Sequence, residues 1–157
     1  DRIILFEGFM DVIAADNAGI KESVAIMGTA FTKKHTAIIK KITKNVIICF
    51  DGDSAGQEAA YKTLRIMSND FNVKVVIIPD KMDPDDYIQK FTKEKFVELV
   101  NNESINVLDF IFIHNLSKIN RNNLNEIEIF KKNIFNLVKN ASNTQKELFL
   151  RRISKEL

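Results

Sequence analysis

Four short apolar runs, Ile3–Phe6, Ser23–Ile26, Val46–Phe50 and Val73–Ile78, are separated by stretches of helical pattern near Met10–Ala18, Lys33–Ile42 and Ala55–Ser68. Runs this short and this apolar read as strands buried on both faces. Strands that alternate with helices, joined by right-handed crossovers, predict a parallel α/β sheet flanked by helices. Helix starts are signalled as well. Thr32 can cap the helix after it, and Ser54-Ala55-Gly56-Gln57 fits a capping box.

This pattern stops part-way. All five glycines lie in the first 56 residues and both prolines in the first 84. Glycine and proline punctuate turns, so their loss marks a change of architecture, placed here near Phe91. Residues 1–91 then form the α/β domain and residues 92–157 an all-α helical bundle. Thr92, Asn123 and Thr144 are the expected N-caps, the last two followed three residues on by Glu126 and Glu147. Ile127, Phe130, Ile134, Leu137 and Val138 form an apolar stripe at helical spacing. The whole of 92–157 is expected to be helical and to lack catalytic acids.

Chain length and a hydrophobic fraction of 45% are enough for one ordinary domain or a small domain with an appendage. A net charge of +2, from 23 basic and 21 acidic residues, does not by itself announce a nucleic-acid binder. The single cysteine, Cys49, lies inside an apolar run and reads as a buried small hydrophobe, so no disulfide and no cysteine-based zinc site can form. A reducing, cytoplasmic setting fits. No apolar stretch approaches the roughly 20 residues of a membrane helix. The chain enters its first strand almost at once from Asp1, which suggests a piece of a longer protein.

The acids are more informative. Glu7 directly follows the first strand, in Glu7-Gly8-Phe9-Met10-Asp11. Asp51 and Asp53 follow the third, in Asp51-Gly52-Asp53-Ser54-Ala55-Gly56. Asp83 and Asp85 follow the fourth, in Asp83-Pro84-Asp85-Asp86. In a parallel α/β sheet, functional groups gather beyond the carboxyl ends of the strands. Residues i and i+2 of an extended segment point the same way, so Asp51 and Asp53 can face one ion, and Gly52 leaves room for a ligand. Hard oxygen ligands suit Mg²⁺ or Mn²⁺, and carboxylates this close repel unless a cation sits among them.

Each motif also has a plain structural reading. Asp83 before Pro84 is a natural N-cap with proline at the first helical position. Asp53 or Ser54 can cap the next helix, and Asp11 can favour a helix N-terminus. Asp86 reads as solvated. His35 and His114 have no ligand-spaced partners and read as surface or packing residues. It is the recurrence of acids at three strand ends that these readings do not cover.

Glu7-Gly8-Phe9-Met10-Asp11, then Met27-Gly28-Thr29, then Asp51-Gly52-Asp53-Ser54-Ala55-Gly56, then Asp83-Pro84-Asp85-Asp86-Tyr87 resemble the Toprim core of bacterial DNA primases. The resemblance is strong over residues 3 to 91 and extends to the helical tail by position only. It implies a divalent-metal-dependent nucleotidyltransferase that makes short RNA primers on single-stranded DNA from ribonucleoside triphosphates. It implies metal-binding roles for Glu7, Asp11, Asp51, Asp53, Asp83 and Asp85. Catalytic roles would fall to Glu7, Asp51 and Asp53, with Glu7 as ligand or as acceptor of the 3′-hydroxyl proton. The family's zinc-binding domain and the basic half of its polymerase domain have no counterpart here. Contact with the replicative helicase would run through a domain absent from this chain, and no template-binding residue can be assigned. Rival readings are a Toprim nuclease, a non-catalytic docking module, and a phosphatase of the haloacid dehalogenase type with Asp51 as nucleophile.

Overall fold

The computed structural model describes residues 1–28, 30–67, 70–139 and 142–157. Thr29 of the Met27-Gly28-Thr29 motif and Ser68 at the end of the third expected helix lie outside the described residues. The chain forms two compact units, Asp1–Val107 and Leu108–Leu157.

In the first unit the order is β1 (Ile3–Phe6), α1 (Phe9–Asn17), β2 (Ser23–Ala25), α2 (Lys33–Ile39), β3 (Asn45–Phe50), α3 (Ser54–Met67) and β4 (Asn72–Ile77). A short turn at Pro79–Lys81 leads to α4 (Pro84–Lys90), α5 (Lys93–Asn102) and β5 (Ile105–Asn106). The sheet order is β2-β1-β3-β4-β5. The first four strands are parallel, in the register Ile4↔Ser23, Ile4↔Ile47 and Ile47↔Lys74. All four residues of β1 are buried, as continuous apolar strands inside a covered parallel sheet must be.

The side chains of β1, β3 and β4 alternate between two faces. On one face Ile4, Phe6, Ile47, Cys49, Val76 and Ile78 pack with Ala15 of α1, Tyr87 of α4, and Phe96, Leu99 and Val100 of α5. Cys49 is fully buried there, as a small hydrophobe. On the other, α3 lies over β3 and β4, with α2 beside it. Gly56, Ala60, Thr63, Leu64 and Met67 are the buried positions of α3, at helical spacing.

Residues 92–157 are not wholly helical. Ile105 and Asn106 form β5, antiparallel to β4 through Val75↔Ile105 and Lys74↔Asn106. Nor does the first unit end at Phe91. Helix α5, capped as expected by the Thr92 side chain at Lys95 N, contributes Phe96, Leu99 and Val100 to the sheet core. The reason is physical. A lack of glycine and proline disfavours tight left-handed turns. It does not exclude a two-residue edge strand entered through Glu103, whose φ of −106° and ψ of 0° suit any residue.

The second unit holds α6 (Val107–Leu116), α7 (Leu124–Leu137) and α8 (Asn143–Glu156). Phe112, Phe130, Ile134, Val138, Phe149 and Ile153 form its core. Leu137, expected in the buried stripe, is 42% exposed, while Phe130, Ile134 and Val138, spaced four residues apart, are buried. Asn123 caps α7 by accepting from Asn125 N and Glu126 N, and the Glu126 side chain reaches back to Asn123 Nδ2 at 2.8 Å. The cap of α8 is Ser142, in a capping box with Gln145, and Thr144 lies inside the first turn. Arg152 bonds Asp109 at 2.6 Å and lies 4.4 Å from the Phe112 ring centroid. Among the described residues no helix is long and apolar enough to cross a membrane.

Candidate metal centre

From β1 the chain crosses through α1 to β2 on one side, and from β3 it crosses through α3 to β4 on the other. The connections therefore diverge between β1 and β3, which leaves a crevice beyond their carboxyl ends. Glu7 leaves β1 and Asp51 leaves β3 at that crevice. The Asp51 backbone N–H donates to Glu7 Oε1 at 3.4 Å. Beyond β2, the Met27 N–H donates to the Glu7 carbonyl at 3.2 Å and so ties the next loop to the same point.

The other acids are held by local structure. Asp11, in the first turn of α1, is 9% exposed and accepts from Gly8 N at 3.1 Å. Asp53 caps α3, with its Oδ1 accepting from Gly56 N at 2.7 Å. The cap is therefore Asp53 and not Ser54. Gln57, expected to close a box on Ser54, instead donates its side-chain amide to the Asp51 carbonyl at 2.9 Å. Asp83 caps α4 through Asp86 N at 2.7 Å, with Pro84 at the first helical position. Asp85 Oδ2 accepts from the Gln89 side chain at 2.8 Å. The plain structural readings of Asp53 and Asp83 thus hold alongside the functional ones. A carboxylate has about four acceptor sites, so one capping bond leaves others free for a ligand.

The electrostatics join these positions into one cluster. Burial raises the pKa of Glu7, and the charge of Asp51 adds to it, as do Asp11 and Asp53, while the Asp51 N–H bond opposes them. Burial also lifts Asp11, to about 6, against its bond from Gly8, and Asp51, Asp83 and Asp85 push in the same direction. Asp51 is raised by burial first, then by Asp83, Asp53 and Asp86. Asp86 is exposed, as its sequence context suggests, yet its charge reaches Asp51. Among the described residues, no three such groups lie together closely enough to form a coordinating set.

The donor chemistry nonetheless fits a hard divalent cation, since every available group is a carboxylate. The histidines are used elsewhere. His35 Nδ1 accepts from Thr32 N at 3.0 Å and so closes the start of α2, and His114 is buried beside Phe110 in the second unit.

Two glycines shape the cluster. A side chain on Gly56 would place its Cβ 2.4 Å from the Asp51 carbonyl oxygen, and one on Gly52 would lie 2.2 Å from the Ile78 carbonyl oxygen. Sequence reasoning assigns Gly52 to ligand access, whereas the space it leaves is filled by backbone. Asp80 and Lys81, with φ of 58° and 60°, turn the β4–α4 connection through the left-handed region just before Asp83. That turn carries no glycine, so its shape was not legible. A cavity of about 500 Å³ opens on the other side of Glu7, walled by Ile26, Phe31, Phe50 and Ala59.

A model of the Toprim-like family matches residues 4–88. The chain belongs to the Toprim-like family. This Toprim segment is homologous to the catalytic core of bacterial DnaG-type primases. It is 44% identical over 138 residues to the DNA primase of Staphylococcus epidermidis, covering 87% of this chain and 23% of that protein. The DNA primase of Enterococcus faecalis is 34% identical over 159 residues, covering 99% of this chain and 25% of that protein. Among solved structures, a DnaG primase catalytic domain bound to single-stranded DNA superposes with a TM-score of 0.71. It is 26% identical and covers 98% of this chain and 51% of that chain. The Toprim chain thus spans about a quarter of the curated relatives it matches. Asp51 follows the third strand of the sheet, and the Toprim-like match over residues 4–88 disfavours the phosphatase reading.

Proposed function

We propose that this chain is the metal-binding part of a DNA-templated RNA polymerase that makes primers for replication in the cytoplasm. The observation that carries this is the pairing of Glu7 with Asp51 across the sheet crevice, with Asp11, Asp53, Asp83 and Asp85 in electrostatic reach. The substrates are ribonucleoside triphosphates and a single-stranded DNA template. A related catalytic domain has been solved with single-stranded DNA.

Asp51, Asp53, Asp83 and Asp85 would hold Mg²⁺ or Mn²⁺ and the nucleotide phosphates, while Asp11 would be a ligand or support one. When bound, such a cation favours ionisation of an attacking hydroxyl and offsets charge on a leaving pyrophosphate. Glu7, which leaves β1 and accepts from the Asp51 N–H, would serve as a ligand or as the acceptor of the 3′-hydroxyl proton. Gln57 and the Gly56 N–H hold the backbone of Asp51 and the carboxylate of Asp53.

The test is a chimera in which this chain replaces the matching segment of the S. epidermidis primase. The chimera is expected to synthesise primers on single-stranded DNA, and its Asp51→Asn and Glu7→Gln forms are not. A chimera that folds and never primes would overturn the reading. Metal-dependent nicking of plasmid DNA by the unaltered chain would favour a nuclease instead.

A further inference from the structure

From Ser23 to Phe50 the chain has no Asp or Glu and carries Lys33, Lys34, Lys40, Lys41 and Lys44. All five lysines are exposed. Lys40 is paired with Asp70. The nearest preceding acid, Glu22, is engaged by Arg2 at 3.0 Å. Lys33, Lys34, Lys41 and Lys44 have no acidic partner among the described residues.

Their placement follows from topology. Helix α2 leaves the carboxyl end of β2 and returns to the amino end of β3, while β2 and β3 both run parallel to β1. Lys33 and Lys34 therefore stand at the edge of the sheet that bears the acids. Lys41 and Lys44 stand at the opposite edge, beside Asn45 where β3 begins. The seven residues of α2 alone rise about 10 Å. The cations are thus strung along one flank, leading away from the acidic edge. Ile38 and Ile42, 60% and 65% exposed and four residues apart, lie between them.

We propose that this flank is a track for the phosphate backbone of single-stranded nucleic acid. Lysine is a flexible point charge that meets phosphates without reading bases. The segment exposes no aromatic ring for stacking, so its contacts follow the backbone. The two isoleucines offer contact to sugar edges. A membrane is the poorer partner, since two exposed apolar side chains on a two-turn helix bury too little area to insert. The choice of a single strand rests on the proposed polymerase reading, in which the template is unpaired.

The test is fluorescence anisotropy of a labelled mixed-sequence single-stranded oligonucleotide with the full chain. It is run in chelator and without nucleotides, over a series of salt concentrations, so that the metal reading does not enter. Each lost phosphate contact reduces the slope of log affinity against log salt by about 0.7. The combined Lys33, Lys34, Lys41 and Lys44→Gln variant is therefore expected to lose about 3 from that slope. Changing Lys93, Lys132, Lys139 and Lys155 to Gln alters net charge equally and is expected to leave the slope near that of the wild type. Arginine at the four flank positions is expected to restore binding. Equal slopes for the two glutamine variants would overturn the proposal. So would loss of duplex binding with single-strand binding intact, or tighter binding to phosphatidylserine vesicles than to the oligonucleotide.

Discussion

The Gly52 backbone N–H donates to the Met82 carbonyl at 2.8 Å, which fastens the loop of Asp51 and Asp53 to the loop that delivers Asp83 and Asp85. The two acidic pairs come from separate crossovers and hold their spacing through this contact. Gly52→Ala forces its Cβ against the Ile78 carbonyl, and backbone rather than a flexible side chain must give way. The expected result is a loss of about 1–3 kcal/mol in urea unfolding, as for other overpacked sites. A fall in Mn²⁺ affinity of about tenfold or more is expected too, corresponding to about 1.4 kcal/mol of lost complementarity. An Ala variant with unchanged affinity would show that the loops are placed independently.

Removing one charge from the cluster is expected to stabilise the metal-free protein. Asp51→Asn relieves repulsion from Asp83, Asp53 and Asp86. Asp53→Asn does so while keeping its role at the start of α3, because asparagine caps as well as aspartate. Asp53→Ala is expected to lose about 1 kcal/mol through the missing cap. Thermal unfolding in chelator should rank the Asn forms above wild type and the Ala form below Asp53→Asn. Millimolar-scale Mn²⁺ should raise the wild-type midpoint by mass action and raise the Asn forms much less.

The pH dependence has a defined sign. Glu7, Asp11 and Asp51 have raised pKa values in the folded state, so between the ordinary carboxylate range and about 6 the folded state binds more protons than the unfolded chain. These groups therefore lower stability as pH rises through that window, and the loss is complete above it. Asp11→Asn removes one of them and is expected to gain on the order of 2 kcal/mol at pH 7 over its effect at pH 4, at about 1.4 kcal/mol per unit. Urea midpoints in chelator at both pH values give the comparison. A difference between wild type and Asp11→Asn that does not change with pH would show that Asp11 ionises normally.

A chain cut after residue 91 is expected not to fold, whereas one cut after residue 107 should unfold cooperatively. Phe96, Leu99 and Val100 cover one face of the sheet, with Phe96 and Val100 fully buried. Phe96→Ala in the intact chain should cost about 3–5 kcal/mol, as for other buried aromatics. Circular dichroism of the two truncations is the direct check.

The unaltered chain by itself is expected to prime poorly on single-stranded DNA. Its net charge is +2, and template is held mainly by phosphate contacts. Robust primer synthesis would show that its own cations suffice.

The four parallel strands and their order of appearance were legible because a buried strand in a covered sheet is apolar over most of its length, as Ile3–Phe6 and Val46–Phe50 are. The acids were legible because each follows such a run. The edge strand was not, since two residues carry no periodicity. Capping was legible at Thr92, where a single candidate stands before the helical pattern, and at Asn123, which Glu126 three residues on picks out from Asn122. It was ambiguous at Asp53-Ser54 and at Ser142-Asn143-Thr144, where neighbouring residues can cap equally well and tertiary fit chooses between them. Gln57 reads from the sequence as part of a capping box, whereas its partner is the backbone of Asp51, a bond that no spacing rule encodes.

Glu7 and Asp51 meet across 44 residues, and the loop of Asp83 joins them only once β4 has been laid against β3. On a ribosome, the emerging chain would present these acids singly, each hydrated and without its neighbours. On the proposed metal reading, capture of a cation would thus wait for the last central strand, and the centre would report completion of the sheet. Long-range pairing of this kind is slow to form, so Mn²⁺ binding would offer a clock for the final step of folding.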